Sequence, residues 1–215
     1  AYRRERKIWA AFGIGWWFGL GHLATGLYWI SSAFLVDFEA CRPICGIPAT
    51  LGLAGGLAIF WGVGCALAMT MWTSDMRRIA AFALGLFVTE WLRGNILTGF
   101  PWLLPGYVWT PGEPISQLAS LVGIYGLTLI TLLVGASPAA IADRGPTAGV
   151  RFAPMIGAGL ILGLSFGWGA QRMAGGPIDL PGAQPIIRVA DSGLSQAEKW
   201  RYRPDQEWRV LQRYL

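Results

Sequence analysis

The sequence has 215 residues, of which 54% are hydrophobic and only 13% charged, with a formal net charge of +5 and a pI near 9.4. Soluble globular domains carry about 25% charged residues, so this composition excludes that class and points to a polytopic membrane protein. The basic residues are scattered among apolar runs and form no stripe, so no nucleic-acid partner is expected, and membrane topology accounts for the charge.

The first apolar run covers residues 8–36 and is interrupted only by His22, Thr25, Ser31 and Ser32. A spanning helix needs about 20 apolar residues, so one helix is predicted there. Its glycines at 13, 15, 19, 21 and 26 offer small faces for a neighbouring helix. His22 is the only histidine in the chain. It is expected to be a hydrogen bonder in helix packing, because a proton relay or metal site would need partners that the sequence does not show. Cys41 and Cys45, spaced C-x3-C, could close a local disulfide if their loop is extracytoplasmic, although unpaired thiols are the expectation.

Residues 49–72 form the second predicted span. A short turn with Arg77 and Arg78 leads to a third, over 79–97. Near its end stand Glu90 and Arg93, three residues apart and therefore on one helix face. An unpartnered charge in hydrocarbon costs at least about 2.5–3.5 kcal/mol, so the two are predicted to form a structural ion pair. Fifteen residues from Ile79 reach only about 22 Å at 1.5 Å each, so the pair belongs near one membrane face. Beyond it, Gly99, Pro101, Pro105, Gly106, Pro111, Gly112 and Pro114 forbid a regular helix. Non-helical backbone at a membrane must lie in protein, in a cavity or at the water interface. Phe100, Trp102, Tyr107 and Trp109 favour the interface, where anchoring alone is the simplest role for such rings.

Residues 115–142 make the fourth predicted span, with Pro138 ending or kinking its last turn, and 152–170 the fifth. The fold class is thus an all-α membrane bundle of about five spans over residues 1–172. A linker follows at 173–185, and 186–215 read as one strand (186–190) and one amphipathic helix (204–215). A strand and a helix cannot bury a core, so this tail is expected to begin a larger α/β domain. The chain opens on Ala1 and closes inside an apparent helix, so it is expected to be a piece of a longer protein.

Orientation follows from the basic residues. With five alternating spans, Arg3, Arg4, Arg6, Lys7, Arg77, Arg78, Arg144 and Arg151 share one side, against Arg42 and Arg93 on the other. The positive-inside rule puts the first group in the cytoplasm and the tail outside, with the aromatic break after Glu90 on that same outer side. No G-x-S-x-G, Walker loop, H-E-x-x-H, dinucleotide signature or cysteine metal site is present, and neither a cofactor nor a metal is expected. By its residues alone the chain could belong to a lipid-handling enzyme, a transporter or an assembly scaffold. A transporter would favour an inverted repeat, which the Glu90 to Pro114 block does not have.

Three stretches resemble the apolipoprotein N-acyltransferases of bacterial inner membranes. Glu90-Trp91-Leu92-Arg93-Gly94 matches an E-x-L-R-G helix end, Leu97-Thr98-Gly99-Phe100-Pro101-Trp102 an L-T-G-F-P-W block, and Gly106-Tyr107 the G-Y that follows. The run from Gly15, with Gly26 to Trp29 as a small-x-x-W pattern, is similar to that family's third spanning helix. The segment IIRVADSGLSQAEKW is similar to the opening of its nitrilase-like domain, where Gln196, Lys199 and Trp200 match while Asp191, Gly193 and Ser195 depart from the usual Gln, Asn and Pro.

The resemblance implies an enzyme of lipoprotein biosynthesis, acting as a monomer. It would move an acyl chain from a phospholipid donor to a cysteine, then to the α-amino group of a diacylglyceryl apolipoprotein acceptor. The family's Glu-Lys-Cys triad would lie downstream of Leu215, so no catalytic residue is assigned here, the piece alone is expected to be inactive, and none of Cys41, Cys45 and Cys65 is the nucleophile. Phe100, Pro101, Trp102, Tyr107 and Trp200 are the expected substrate-binding residues, with Trp200 overhanging the cavity from the periplasmic domain. Glu90 is expected to hold Arg93 and the loop and not to move protons.

Overall fold

A computed structural model describes residues 2–35, 45–143 and 147–176, together with Trp208 and Gln212. Among them are five α-helices and no strand: α1 (Tyr2–Gly26), α2 (Gly46–Thr70), α3 (Arg77–Asn95), α4 (Ala119–Ala136) and α5 (Ala148–Ala174). Among the described residues, three stretches are long and apolar enough to cross a membrane, namely Gly46–Thr70, Ile115–Ala142 and Ala148–Ala174. α1 begins with a cluster of charged residues, and α3 carries Arg77, Arg78, Glu90 and Arg93 within 19 residues. The predicted strand at 186–190, the linker beyond Gly176 and Trp200 lie outside the described residues. Of the predicted last helix, Trp208 and Gln212 are described, and both are helical.

Lipid offers no hydrophobic drive for helices to meet, so close approach and dispersion hold the bundle together. α1 and α2 meet over small residues. A methyl group on Gly15 would stand 2.5 Å from the Trp61 carbonyl oxygen, and one on Gly19 would stand 2.7 Å from Trp61 Cβ. The Trp16 indole donates to the Gly55 carbonyl at 3.0 Å. α2 and α3 touch backbone to backbone at Gly64 and Gly85, where a Cβ on Gly85 would lie 2.5 Å from the Gly64 carbonyl. Two buried clusters result. Leu23, Leu27, Ala54 and Ala58 form one between α1 and α2, and Trp61, Ala83, Leu86 and Leu132 form the other among α2, α3 and α4.

Three predicted elements differ from the structure. The run at 8–36 is not one helix: α1 ends at Gly26 and a 3-10 helix, Tyr28–Leu35, follows. Residues 115–142 are divided into a 3-10 turn (Ile115–Leu118), α4 and a second 3-10 helix (Ser137–Ala142). The second change of helix type comes at Pro138, as its missing N–H predicts. α4 is also kinked at Gly123, whose φ of 67° and ψ of 177° only glycine adopts readily. Finally, Cys45 is disulfide-bonded, so the expectation of unpaired thiols fails there, while Cys65 is free.

The Pro/Gly-rich segment after α3 is touched by the C-terminal parts of α1, α3 and α5, at Gly26, Arg93 and Gly169, and by Thr128 of α4. At the opposite end of α3, Arg78 pairs with Asp143 and donates to the Ala139 carbonyl at 3.0 Å.

Candidate functional site

α3 stops at Asn95, and the backbone turns sharply through Leu97 (φ 57°), Gly99 (φ 72°) and Leu103 (φ 57°). For the two leucines this conformation is strained, at a cost on the order of 1–3 kcal/mol each. Such a loop needs a rigid support, and Arg93 supplies it. Its Nε donates to Glu90 Oε1 at 2.9 Å and its Nη2 to Oε2 at 2.6 Å, a bidentate pair in which both side chains are wholly buried. The remaining nitrogen, Nη1, donates to the carbonyls of Phe100 at 2.6 Å and Trp102 at 3.0 Å. The Phe100 N–H returns a bond to the Arg93 carbonyl at 2.8 Å. Both Glu90 oxygens accept from Arg93, and the carboxylate is wholly buried.

Three other helices hold the same segment. From α1, His22 Nε2 lies 3.1 Å from the Leu103 carbonyl, so that nitrogen carries the proton and donates. The Leu103 side chain sits over Gly26, where any Cβ would overlap it. From α4, Thr128 Oγ1 accepts the Gly106 N–H at 3.2 Å, and Thr131 Oγ1 accepts the Trp109 indole N–H at 2.8 Å. From α5, Gly169 lies directly against the Pro114 carbonyl, with no room for a side chain between them. Val108, Trp109, Glu113, Pro114 and Phe166 border a cavity of about 290 Å³ on that side.

Of the predicted binding residues, Phe100 and Pro101 are half-buried, while Trp102 and Tyr107 are 47% and 52% exposed. Trp102 is flanked by two rings, Phe100 at 5.1 Å and Trp29 at 5.4 Å with an interplanar angle of 24°. Trp29, 48% exposed, is a residue that sequence reasoning did not bring to the loop. The signal that could have found it is spacing: His22, Gly26 and Trp29 fall at i, i+4 and i+7, the interval of one helical face, although α1 ends at Gly26 and Trp29 belongs to the 3-10 helix that follows. Trp200 lies outside the described residues, so its relation to these rings is not given by the structure.

A buried ion pair, a histidine and two threonines fix an aromatic ledge at one end of the bundle. The fold thus defines a helical domain with membrane-crossing stretches that carries this ledge.

Comparison with known proteins gives the family. The profile of the apolipoprotein N-acyltransferase N-terminal domain matches residues 1–137, and the chain belongs to that family. It is similar to the apolipoprotein N-acyltransferase of Rhodopseudomonas palustris, with 38% identity over 99% of this chain and 39% of that protein. The enzyme of the same name from Bradyrhizobium diazoefficiens is 40% identical over 99% of this chain and 39% of its own length. That from Caulobacter vibrioides is 37% identical over 91% and 36%. The chain thus spans about two fifths of the length of the curated relatives it matches. No solved structure matches it significantly.

Proposed function

We propose that this chain is the membrane part of an apolipoprotein N-acyltransferase of a bacterial inner membrane. The whole enzyme takes an acyl chain from a phospholipid onto a cysteine as a thioester. It then passes the chain to the α-amino group of a lipoprotein's diacylglyceryl cysteine. Splitting the transfer at a covalent intermediate replaces one difficult displacement by two easier ones. The role of residues 1–172 is to present the lipid substrates. Residues 99–109 form the floor of the site at the outer, periplasmic face, and residues 186–215 open the nitrilase-like domain, from which Trp200 overhangs that floor. No residue of this chain is assigned a bond-making role.

The observation that carries this reading is the Arg93 clamp, which fixes the L-T-G-F-P-W backbone through the Phe100 and Trp102 carbonyls in a chain of this family. The disulfide at Cys45 supports the orientation. Gly46 packs against Ser31 in the segment that follows α1, at the same end as the ledge. A disulfide there belongs to an oxidising compartment, as the periplasm is.

The test is to incubate the full-length protein with phospholipid labelled in its acyl chains and to look for a hydroxylamine-sensitive protein adduct. A labelled thioester on a cysteine other than 41, 45 and 65 is expected; a full-length protein that never carries label would refute the reading. Trp102→Ala and Trp200→Ala should each slow acyl transfer more than they lower the yield of folded protein. Equal losses of both would reduce the two rings to structural parts.

A further inference from the structure

One face of α1, continued into the 3-10 helix after it, is committed to a single dipeptide of the distant loop. His22 bonds the Leu103 carbonyl at 3.1 Å, Gly26 seats the Leu103 side chain, and Trp29 stacks on Trp102 at 5.4 Å. The contacts converge on a leucine with φ of 57°, a conformation that persists only where its surroundings over-determine it. The consequence is geometric. With Leu103 turned inward over Gly26, the Trp102 ring is carried outward onto Trp29. Phe100, Trp102 and Trp29 then stand in series, and the two indoles are each about half open, at 47% and 48% exposure.

A tryptophan that merely anchors a helix at the membrane boundary needs its ring at headgroup depth and nothing more. Here two indoles from segments over 70 residues apart are brought together and left uncovered on one side. We propose that Trp29 and Trp102 form a paired wall that receives one acyl chain of a phospholipid, with His22 as the residue that positions it. Taking that lipid as the acyl donor rests on the acyltransferase reading; the wall itself does not.

The chemistry favours an alkyl chain over a headgroup or a charged peptide. Among the described residues of the loop and of the helices that hold it, the ionised pair Glu90 and Arg93 is wholly buried and satisfied by itself and by the loop carbonyls, so it offers the rings no free charge. The two indoles are stacked, with 24° between their planes, and the half-open sides of the stack present apolar ring surface on which a methylene chain gains many small dispersion contacts. Such chains arrive sideways from the bilayer around helices of membrane-crossing length.

The experiment uses the full-length protein in dodecyl maltoside micelles, titrated with phosphatidylethanolamine carrying an alkyl diazirine in one acyl chain. After irradiation, adducts are mapped by peptide mass spectrometry. Adducts at residues 28–30 and 102 should saturate with added probe and fall at least fivefold under a tenfold excess of unlabelled lipid. Adducts at Trp17, 68% exposed on α1, should rise linearly and ignore the competitor. His22→Leu should abolish the saturating component, and His22→Gln, which keeps an N–H donor, should restore most of it.

Linear labelling at residues 28–30 in the wild-type protein, identical to Trp17, would overturn the wall. So would adduct-free residues 28–30 and 102 beside a labelled Trp17. His22→Gln behaving as His22→Leu would overturn the positioning role. Thioester formation is read in the same samples. Thioester with unsaturated labelling keeps the acyltransferase and discards the wall; saturation without thioester does the reverse.

Discussion

Replacing Arg93 separates two ideas of what the buried Glu90–Arg93 pair is for. If the pair only neutralises itself, removing one partner costs about 3–5 kcal/mol by stranding the other charge, and replacing both with apolar residues of similar volume is close to neutral. The structure predicts otherwise, because Arg93 Nη1 also serves the carbonyls of Phe100 and Trp102 at 2.6 and 3.0 Å. An acceptor left without its donor costs about 1–3 kcal/mol when buried. Trp102 is half exposed, so water can replace part of its share, and the larger loss falls on Phe100. Glu90→Leu/Arg93→Met should therefore remain destabilised by about 1–2 kcal/mol, while Arg93→Met alone loses more than the double variant. The assay is reversible unfolding in micelles, combined with amide hydrogen exchange across residues 96–104. Exchange in that loop should quicken in both variants, and the Phe100 N–H, bonded to the Arg93 carbonyl at 2.8 Å, is its most direct reporter. A double variant with wild-type stability and an unchanged loop would refute the clamp.

The other predictions concern neighbouring supports. Gly169→Ala should cost about 1–3 kcal/mol by overpacking against the Pro114 carbonyl, whereas Gly167→Ala, with nothing within 4 Å of its added Cβ, should be neutral or slightly stabilising in the same melt. Cys45 in protein prepared from membranes should resist maleimide until a reductant is added; ready labelling without reductant would place its loop in a reducing compartment and reverse the topology. Asp75 accepts bonds from the Arg77 guanidinium, the Thr73 hydroxyl and the Arg77 backbone N–H, which hold its carboxyl far below the ordinary value of 3.8. A depressed folded-state pKa stabilises above the unfolded value and is lost as pH falls toward the folded one. Asp75→Asn should thus lower the melting temperature at pH 7, with the gap to wild type narrowing below about pH 4.

What could be read from the sequence was local. The third helix was predicted over 79–97 and runs Arg77–Asn95, since Pro and Gly after Asn95 are visible to any reader. The three-residue spacing of Glu90 and Arg93 is visible in the same way, and Pro138 marks the end of α4. The break of the first helix at Gly26 was hidden, because its cause is tertiary. Residues 27–36 have the apolarity of a continuing span, and only the loop arriving 70-odd residues later gives the chain a reason to change helix type. The two left-handed leucines were hidden for a related reason. Sequence rules assign positive φ to glycine or asparagine, and Leu103 adopts it because His22 and Gly26 make that conformation the best available.

The same distinction explains why only part of the aromatic ledge was legible in the sequence. Phe100, Pro101, Trp102 and Tyr107 announce themselves by composition, as rings and prolines in a run too broken to be a helix. His22 and Trp29 do not, since a histidine or a tryptophan on an apolar helix usually has no task beyond packing. Their contribution depends on a contact across 81 residues, the hydrogen bond from His22 to Leu103. That bond has a physical consequence beyond position. A loop supported from α3 alone could swing about the end of that helix, and the Trp102 ring with it. Bonds from α1, α3 and α4 and the close approach of α5 remove that freedom before any ligand arrives, so the ordering entropy is spent in folding and not in binding. An alkyl chain brings no directional bonds of its own, so if the proposed wall receives one, its selectivity would rest on rings already held in place.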